Sequence, residues 1–83
     1  MSMTIVFRET ALRTLARLRG KDKDLFIRTR RAISTLADQP YPESTVTWGA
    51  IGVYRLHVDD IRILYEVDEQ AATVYVINTG IIA

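Results

Sequence analysis

Three cationic side chains lie close together in the sequence, on either side of a predicted turn. Arg55 and His57 are separated by one residue, and Arg62 follows a few positions later. Arginine binds phosphate through a planar fork of donors, and histidine exchanges a proton near neutral pH. Such side chains in one patch could neutralise a phosphodiester and move a proton during its cleavage. The alternative is the ordinary solvated side of a half-exposed sheet.

The segment Val53–Val67 predicts the β-hairpin that positions these side chains. Apolar and polar residues alternate on both sides of Asp59-Asp60, which is the period of a half-buried strand. A two-residue turn at these aspartates sets the register and separates two faces. The facing pairs are His57–Arg62 and Arg55–Leu64 on one face, and Val58–Ile61, Leu56–Ile63 and Tyr54–Tyr65 on the other. The first face is cationic and the second is apolar.

Two helices are predicted ahead of the hairpin. The first begins at Glu9 or Thr10 and ends at Gly20, where a left-handed residue is favoured. Its expected apolar stripe consists of Leu12, Leu15, Ala16 and Leu18. The second is capped by Asp22 or Asp24 and runs to about Ala37. Its expected buried positions are Leu25, Thr29, Ala32, Ile33 and Leu36. The short link predicts an antiparallel helix pair.

The remaining segments complete an α+β fold in a single domain spanning residues 1–83. Thr4–Phe7 is the predicted N-terminal strand, and Thr73–Thr79 is the last strand of a three-stranded antiparallel meander. Residues 39–52 are expected to form a loop, because Pro40 and Pro42 end the helical region. We therefore expect an antiparallel helix hairpin packed on one face of a four-stranded sheet.

Trp48 lies in the predicted loop between Thr47 and Gly49. A tryptophan in such a segment usually pins the loop onto the core, because its large ring stabilises by burial. We expect that role for Trp48, and a ligand-stacking role is the alternative.

Composition excludes several classes of protein. The chain has no cysteine and one histidine, which excludes disulfides and a zinc site of the usual ligands, and no cofactor is expected. No apolar run approaches the length needed to span a bilayer, and the N-terminus lacks the apolar region of a signal peptide. We therefore expect a cytoplasmic protein with no membrane partner.

The net charge of +1 hides an uneven distribution. Nine of the eleven arginine and lysine residues fall within residues 1–35, the segment that contains both predicted helices. Such a split indicates a basic surface for an anionic partner, either nucleic acid or an acidic protein segment. Ordinary solvated helix faces are the alternative.

The hairpin and the strand after it resemble a known family. The pattern from Tyr54 to Gly80 is similar to the C-terminal half of the RelE/ParE superfamily, the bacterial toxins of toxin–antitoxin modules. The matching positions are Tyr54, Arg55, Leu56, Arg62, Ile63, Leu64, Tyr65 and Gly80. The opening FRETALRTLARL is similar to the first strand and helix of the family, so the resemblance covers almost the whole chain.

The resemblance implies a function and several partners. RelE-type members cut messenger RNA in the ribosomal A site without a metal, whereas ParE-type members poison DNA gyrase. If the matching positions have the roles they have in RelE-type toxins, Arg55 and Arg62 would stabilise the transition-state phosphate. His57 would be the general base or alternatively the acid. The expected partners are a cognate antitoxin, the ribosome with its messenger RNA, operator DNA through the antitoxin complex, and a second toxin copy. The candidates for RNA or ribosome contact are Arg13, Arg17, Arg28 and Arg31.

The sequence departs from the pattern of the active nucleases after Gly80. Those members carry basic residues there, followed by a tyrosine or histidine on a C-terminal tail. This chain has Ile81-Ile82-Ala83 instead, so the resemblance implies weakened nuclease activity, with Tyr41 or Tyr75 as replacement candidates. The readings left open are a nuclease, a gyrase inhibitor and a degenerate toxin that binds antitoxin and operator. The Ile81-Ile82 edge could pair with an antitoxin or with a second copy.

Overall fold

The computed structural model describes residues 2–81 as two helices and five strands. The elements are β1 (Thr4–Phe7), α1 (Glu9–Lys21), α2 (Lys23–Thr35), β2 (Thr45–Thr47), β3 (Val53–Val58), β4 (Ile61–Asp68) and β5 (Thr73–Ile81). Ile82, part of the predicted sticky edge, lies outside the described residues, as do Met1 and Ala83. Within residues 2–81, no helix has the length and apolar character needed to cross a membrane.

The strands form one sheet in the order β1-β5-β4-β3-β2, with the helices packed against it. The α+β class is confirmed. The predicted four strands are wrong, because the sheet has five: Thr45–Thr47 pairs antiparallel with β3 instead of forming a loop. The β-branched residues of this segment suit a strand. The sheet is mixed rather than antiparallel, because β1 pairs parallel with β5.

A single residue joins the two helices. The Asp22 N–H donates to the Leu18 carbonyl at 2.8 Å, so α1 continues through Gly20 to Lys21 and its predicted end at Gly20 is wrong. The Asp22 side chain then accepts from the Leu25 N–H at 3.1 Å and caps α2. At the start of α1, Arg8 is the cap residue and makes no side-chain hydrogen bond there.

The helices bury one face each over the sheet. All five predicted core positions of α2 and its end are buried: Leu25, Thr29, Ala32, Ile33 and Leu36. In α1 the buried residues are Ala11 and Leu15. The predicted stripe is therefore wrong at Leu12, which is 54% exposed, and at Ala16, which is exposed. The helix is rotated so that Ala11, rather than Leu12, starts the apolar face.

The hairpin of β3 and β4 has the predicted register at every pair, including His57 opposite Arg62. Asp59 has a φ of 55°, which the first residue of a primed two-residue turn requires and which aspartate tolerates comparatively well. Alternate residues of the hairpin enter the core, where Leu56, Ile61, Ile63 and Tyr65 are almost fully buried. The helices therefore cover the apolar face, and the cationic face is turned away from them.

Candidate functional site

The three predicted site residues occupy one face of two inner strands, β3 and the central strand β4. Arg55 on β3 lies between Val46 of β2 and Leu64 of β4. Arg62 on β4 is flanked by His57 of β3 and Gly80 of β5. Because each of these strands has a neighbour on both sides, the backbone beneath the cluster is fixed. The structure thus brings together the cluster that the sequence predicted.

Among the described residues, the cluster has no counter-charge. No carboxylate within residues 2–81 forms an ion pair with Arg55, His57 or Arg62. Arg55 Nε, His57 Nε2 and Arg62 Nε are shielded from solvent, and none has a hydrogen-bond partner among the described residues. Buried polar atoms in proteins are nearly always satisfied. An oxyanion bound on this face would supply both the missing acceptors and the missing negative charge.

Gly80 leaves space beside the cluster. It is the cross-strand neighbour of Arg62 on β5, and a Cβ built on it would meet no atom of residues 2–81 within 4 Å, apart from its chain neighbours. Among the described residues, the face beside Arg62 therefore leaves room for a ligand group on the side of β5.

The environment of His57 favours the neutral imidazole. Desolvation lowers the pKa of His57 below its usual 6.5, and the charges of Arg55 and Arg62 lower this pKa further. The pKa of Arg55 is also lowered, by desolvation and then by Arg62, yet a guanidinium remains protonated in proteins. At neutral pH the site therefore offers an unprotonated imidazole beside two fixed positive charges, which is the state a general base needs.

We predict that Arg62→Gln raises the pKa of His57 toward 6.5, because it removes one of the two charges that oppose protonation. His57 is the only histidine, so its imidazole proton signals can be followed by NMR without assignment. Lys21→Gln removes the same charge from an exposed helix end and should leave the His57 titration unchanged. A His57 pKa at or above 6.5 in the wild-type chain would contradict this electrostatic account.

The same shift makes stability depend on pH in a defined direction. Because the folded-state pKa of His57 lies below 6.5, the unfolded chain binds more protons in the interval between the two values. The free energy of unfolding should therefore fall as the pH is lowered from about 6.5 through the folded-state pKa. His57→Gln should remove this dependence in that interval, as measured by urea unfolding at a series of pH values.

Trp48 also belongs to the site, although the sequence favoured a core anchor and left ligand stacking as the alternative. The Arg55 guanidinium stacks on its ring, with the Cζ atom 3.5 Å from the ring centroid. The expected role as a core anchor is wrong, because Trp48 is 45% exposed. The residue directly follows β2, so it lies at the sheet edge rather than beneath the helices. The run from Thr45 to Trp48, rich in β-formers and ended by Gly49, is the signal that could have revealed this strand.

The helix arginines lie apart from the cluster. Arg13 donates to Glu9 at 2.6 Å, and Arg28 lies 3.9 Å from a carboxylate oxygen of Asp59. Arg17 and Arg31 are exposed. All four project from the helix layer, which covers the opposite face of the sheet. The structure therefore does not bring these RNA or ribosome candidates to the Arg55–His57–Arg62 cluster.

Neither replacement tyrosine joins the cluster. The Tyr41 hydroxyl donates to Glu69 at 2.8 Å, and burial together with that carboxylate raises the pKa of Tyr41 to about 12. Tyr41 packs edge-on against Tyr54, with ring centroids 5.2 Å apart, on the face of β3 opposite to Arg55. Tyr75 lies under the Arg8 guanidinium at 4.5 Å and opposite Glu66. Among residues 2–81, no three His, Asp or Glu side chains are grouped to hold a metal ion.

Comparison of the sequence with known families assigns the chain to a class of toxins. The profile of the family described as "ParE toxin of type II toxin-antitoxin system, parDE" matches residues 5–80. Because this match covers most of the 83 residues, the chain belongs to that family. The predicted relationship to the RelE/ParE superfamily is confirmed. No curated protein matches the chain significantly.

Solved structures of toxins share the fold. The toxin–antitoxin complex RelBE2 from Mycobacterium tuberculosis matches with a TM-score of 0.82 and 20% identity, covering 98% of this chain and 99% of that chain. The intact E. coli RelBE complex matches with a TM-score of 0.80 and 19% identity, covering 99% of each. A YoeB/ParE toxin from Agrobacterium tumefaciens gives 0.80 and 13%, covering 98% and 100%. At these identities the likeness establishes the fold.

Proposed function

We propose that this toxin is a ribosome-dependent endoribonuclease that cleaves messenger RNA at the face formed by Arg55, His57 and Arg62. One observation carries the proposal: three cationic or protonatable side chains share a sheet face, and no carboxylate of residues 2–81 pairs with them. Two positive charges that no described carboxylate compensates, beside an imidazole, favour an anionic ligand. An RNA phosphodiester supplies the negative charge, and the adjacent ribose 2′-hydroxyl supplies a proton to be moved.

The proposed reaction is attack by a ribose 2′-hydroxyl on the adjacent phosphorus. The neutral imidazole of His57 takes the hydroxyl proton as the new P–O bond forms. Arg55 and Arg62 stabilise the negative charge that develops on the phosphoryl oxygens. The bond from phosphorus to the 5′-oxygen then breaks, and that oxygen takes a proton from water. The products are a 2′,3′-cyclic phosphate and a 5′-hydroxyl. The hydroxide left by that water then takes the proton from the His57 imidazolium, which restores the neutral base.

Contact with the ribosome is proposed to come from the helix layer. Arg17 and Arg31 form no ion pair within residues 2–81, whereas Arg13 and Arg28 approach acidic groups. We therefore rank Arg17 and Arg31 above the other two as contacts for ribosomal RNA. Each phosphate contact adds salt-dependent affinity, so these contacts would compensate for a net charge of only +1.

A cognate antitoxin is the second proposed partner. Membership of a toxin–antitoxin family supports it, as do the folds shared with toxins solved in complex with RelB. Operator DNA would be bound through that complex.

Inhibition of DNA gyrase is the alternative function. The observation that favours it is the family profile itself, which describes ParE toxins. In addition, Ile81, at a position where the RNases of the superfamily carry a basic residue, is 49% exposed. In this reading the cationic face would contact a protein or DNA surface without cleaving it.

Induced expression, with and without co-expression of a cognate antitoxin, separates these functions. We expect growth arrest that the antitoxin relieves, and new messenger 5′ ends that appear only on translated messages. The Arg55→Ala/His57→Ala/Arg62→Ala variant should produce neither effect. Arrest with intact messenger and a DNA-damage response would support gyrase instead. Absence of arrest, together with tight antitoxin binding, would support a degenerate toxin.

A further inference from the structure

The surroundings of Trp48 differ from those of a tryptophan that anchors a loop to the core. The Arg55 guanidinium lies against one face of its indole ring, with Cζ 3.5 Å from the ring centroid. Even so, 45% of the residue surface is exposed. An anchoring tryptophan gains its stabilisation by burial. An exposed fraction this large indicates that the second face of the ring is open to solvent.

The ring borders the cationic cluster on the same side of the sheet. Val46 is the cross-strand neighbour of Arg55, and Trp48 follows it by two positions, so both side chains project to the face away from the helices. Val46 is itself 47% exposed. The face thus continues from a charged cluster directly into an exposed apolar and aromatic surface at the sheet edge.

We propose that Trp48 stacks on a nucleobase of the single-stranded RNA whose phosphate is held by Arg55, His57 and Arg62. This inference rests on the proposed function, because it takes the ligand of the cluster to be RNA. Single-stranded nucleic acid alternates an anionic phosphate with a flat base, and proteins bind it by pairing cations with aromatic platforms. The Arg55–Trp48 stack supplies both elements in contact with each other.

Trp48 is the only tryptophan in the chain, so its fluorescence reports on this site alone. The full chain would be titrated at low salt with a short single-stranded oligoribonucleotide that carries 2′-O-methyl groups to prevent cleavage. An abasic oligomer of the same length and charge is the matched control. We expect the intact oligomer to quench Trp48 and the abasic oligomer not to, with affinity for the abasic oligomer weaker by at least about five-fold.

Two substitutions separate stacking from positioning. Trp48→Phe keeps a flat ring and should retain most of the affinity for the intact oligomer. Trp48→Leu should lose at least about five-fold of it while leaving affinity for the abasic oligomer nearly unchanged. Affinities would be measured by anisotropy of labelled oligomers, with circular dichroism as the control for folding. If Trp48→Leu weakens both oligomers equally, the ring only positions Arg55 and the stacking proposal is overturned.

The remaining outcomes also decide the question. Equal binding of intact and abasic oligomers without quenching overturns the stacking proposal but leaves the proposed nuclease standing. Absence of binding to either oligomer also overturns the stacking proposal. The proposed nuclease function is tested independently, by the translation-dependent messenger ends in cells. If Trp48→Leu weakens antitoxin binding or self-association and leaves RNA binding unchanged, the exposed edge is a protein interface and the proposal fails.

Discussion

Replacement of Arg62 by alanine should lower the rate of messenger cleavage by about 10²- to 10³-fold, which is the usual effect of removing one preorganised donor to a developing oxyanion. Arg62 is placed for this role because β4 is paired on both sides, with His57 and Gly80 as its cross-strand neighbours. The measurement is the rate at which new 5′ ends appear on a defined messenger in a cell-free translation reaction.

Matched variants distinguish the geometry of Arg62 from its charge. Arg62→Lys keeps the charge but loses the planar fork of donors, and we expect it to recover only part of the lost rate. Lys21→Ala removes one positive charge from an exposed helix end and should cleave like the wild type. A cleavage rate for Arg62→Ala within a few-fold of the wild-type rate would remove Arg62 from the reaction. An equal loss in Lys21→Ala would indicate that net charge, rather than the site, is being measured.

The hairpin could be predicted in detail from sequence because its two sides constrain each other. Apolar residues alternate on both sides of Asp59-Asp60, and a slip of one residue would send Ile63 to solvent and Arg62 into the core. The register found in the structure is the one with no such conflict. The cationic cluster followed from the same register, so that the site and the fold were predicted from a single pattern.

Features that depend on distant segments were not predicted. β1 pairs parallel with β5, so that Thr4 meets Thr73 across almost the whole chain, and no local periodicity encodes such a contact. β2 has three residues, which is too short for alternation to stand out from a loop. In α1, Leu12 and Ala11 are both apolar. Which of the two is buried depends on how the helix packs against the sheet, and the helical period does not decide it.

The chemistry of the site was likewise only partly visible. Residue types and spacing could indicate that Arg55, His57 and Arg62 share a face. That they have no partner among residues 2–81, and that Arg55 rests on Trp48, depend on where β2 and its neighbours lie. The lowered pKa of His57 has the same origin, since burial and both arginines contribute to it.

The second large effect is expected at Ile63, the residue after Arg62, whose side chain points to the other face of β4. Ile63 is fully buried in the core between helices and sheet. Ile63→Ala removes buried methyl groups and leaves a cavity, and we expect the free energy of unfolding to fall by about 2–5 kcal/mol. Small domains have about 5–15 kcal/mol in total, so a large fraction of the stability would be lost. Urea unfolding followed by circular dichroism measures the change.

The same substitution at Ile51 is the control, because this isoleucine is fully exposed, at 102%. Ile51→Ala should change the free energy of unfolding by no more than about 0.5 kcal/mol. Ile63→Ala will also reduce toxicity in cells, but through the population of folded toxin, whereas Arg62→Ala should reduce it with stability nearly unchanged. Comparison of these two adjacent residues of β4 thus distinguishes an effect on folding from an effect on catalysis. If Arg62→Ala destabilised the chain as much as Ile63→Ala, the cationic face would be structural and the proposed site would be wrong.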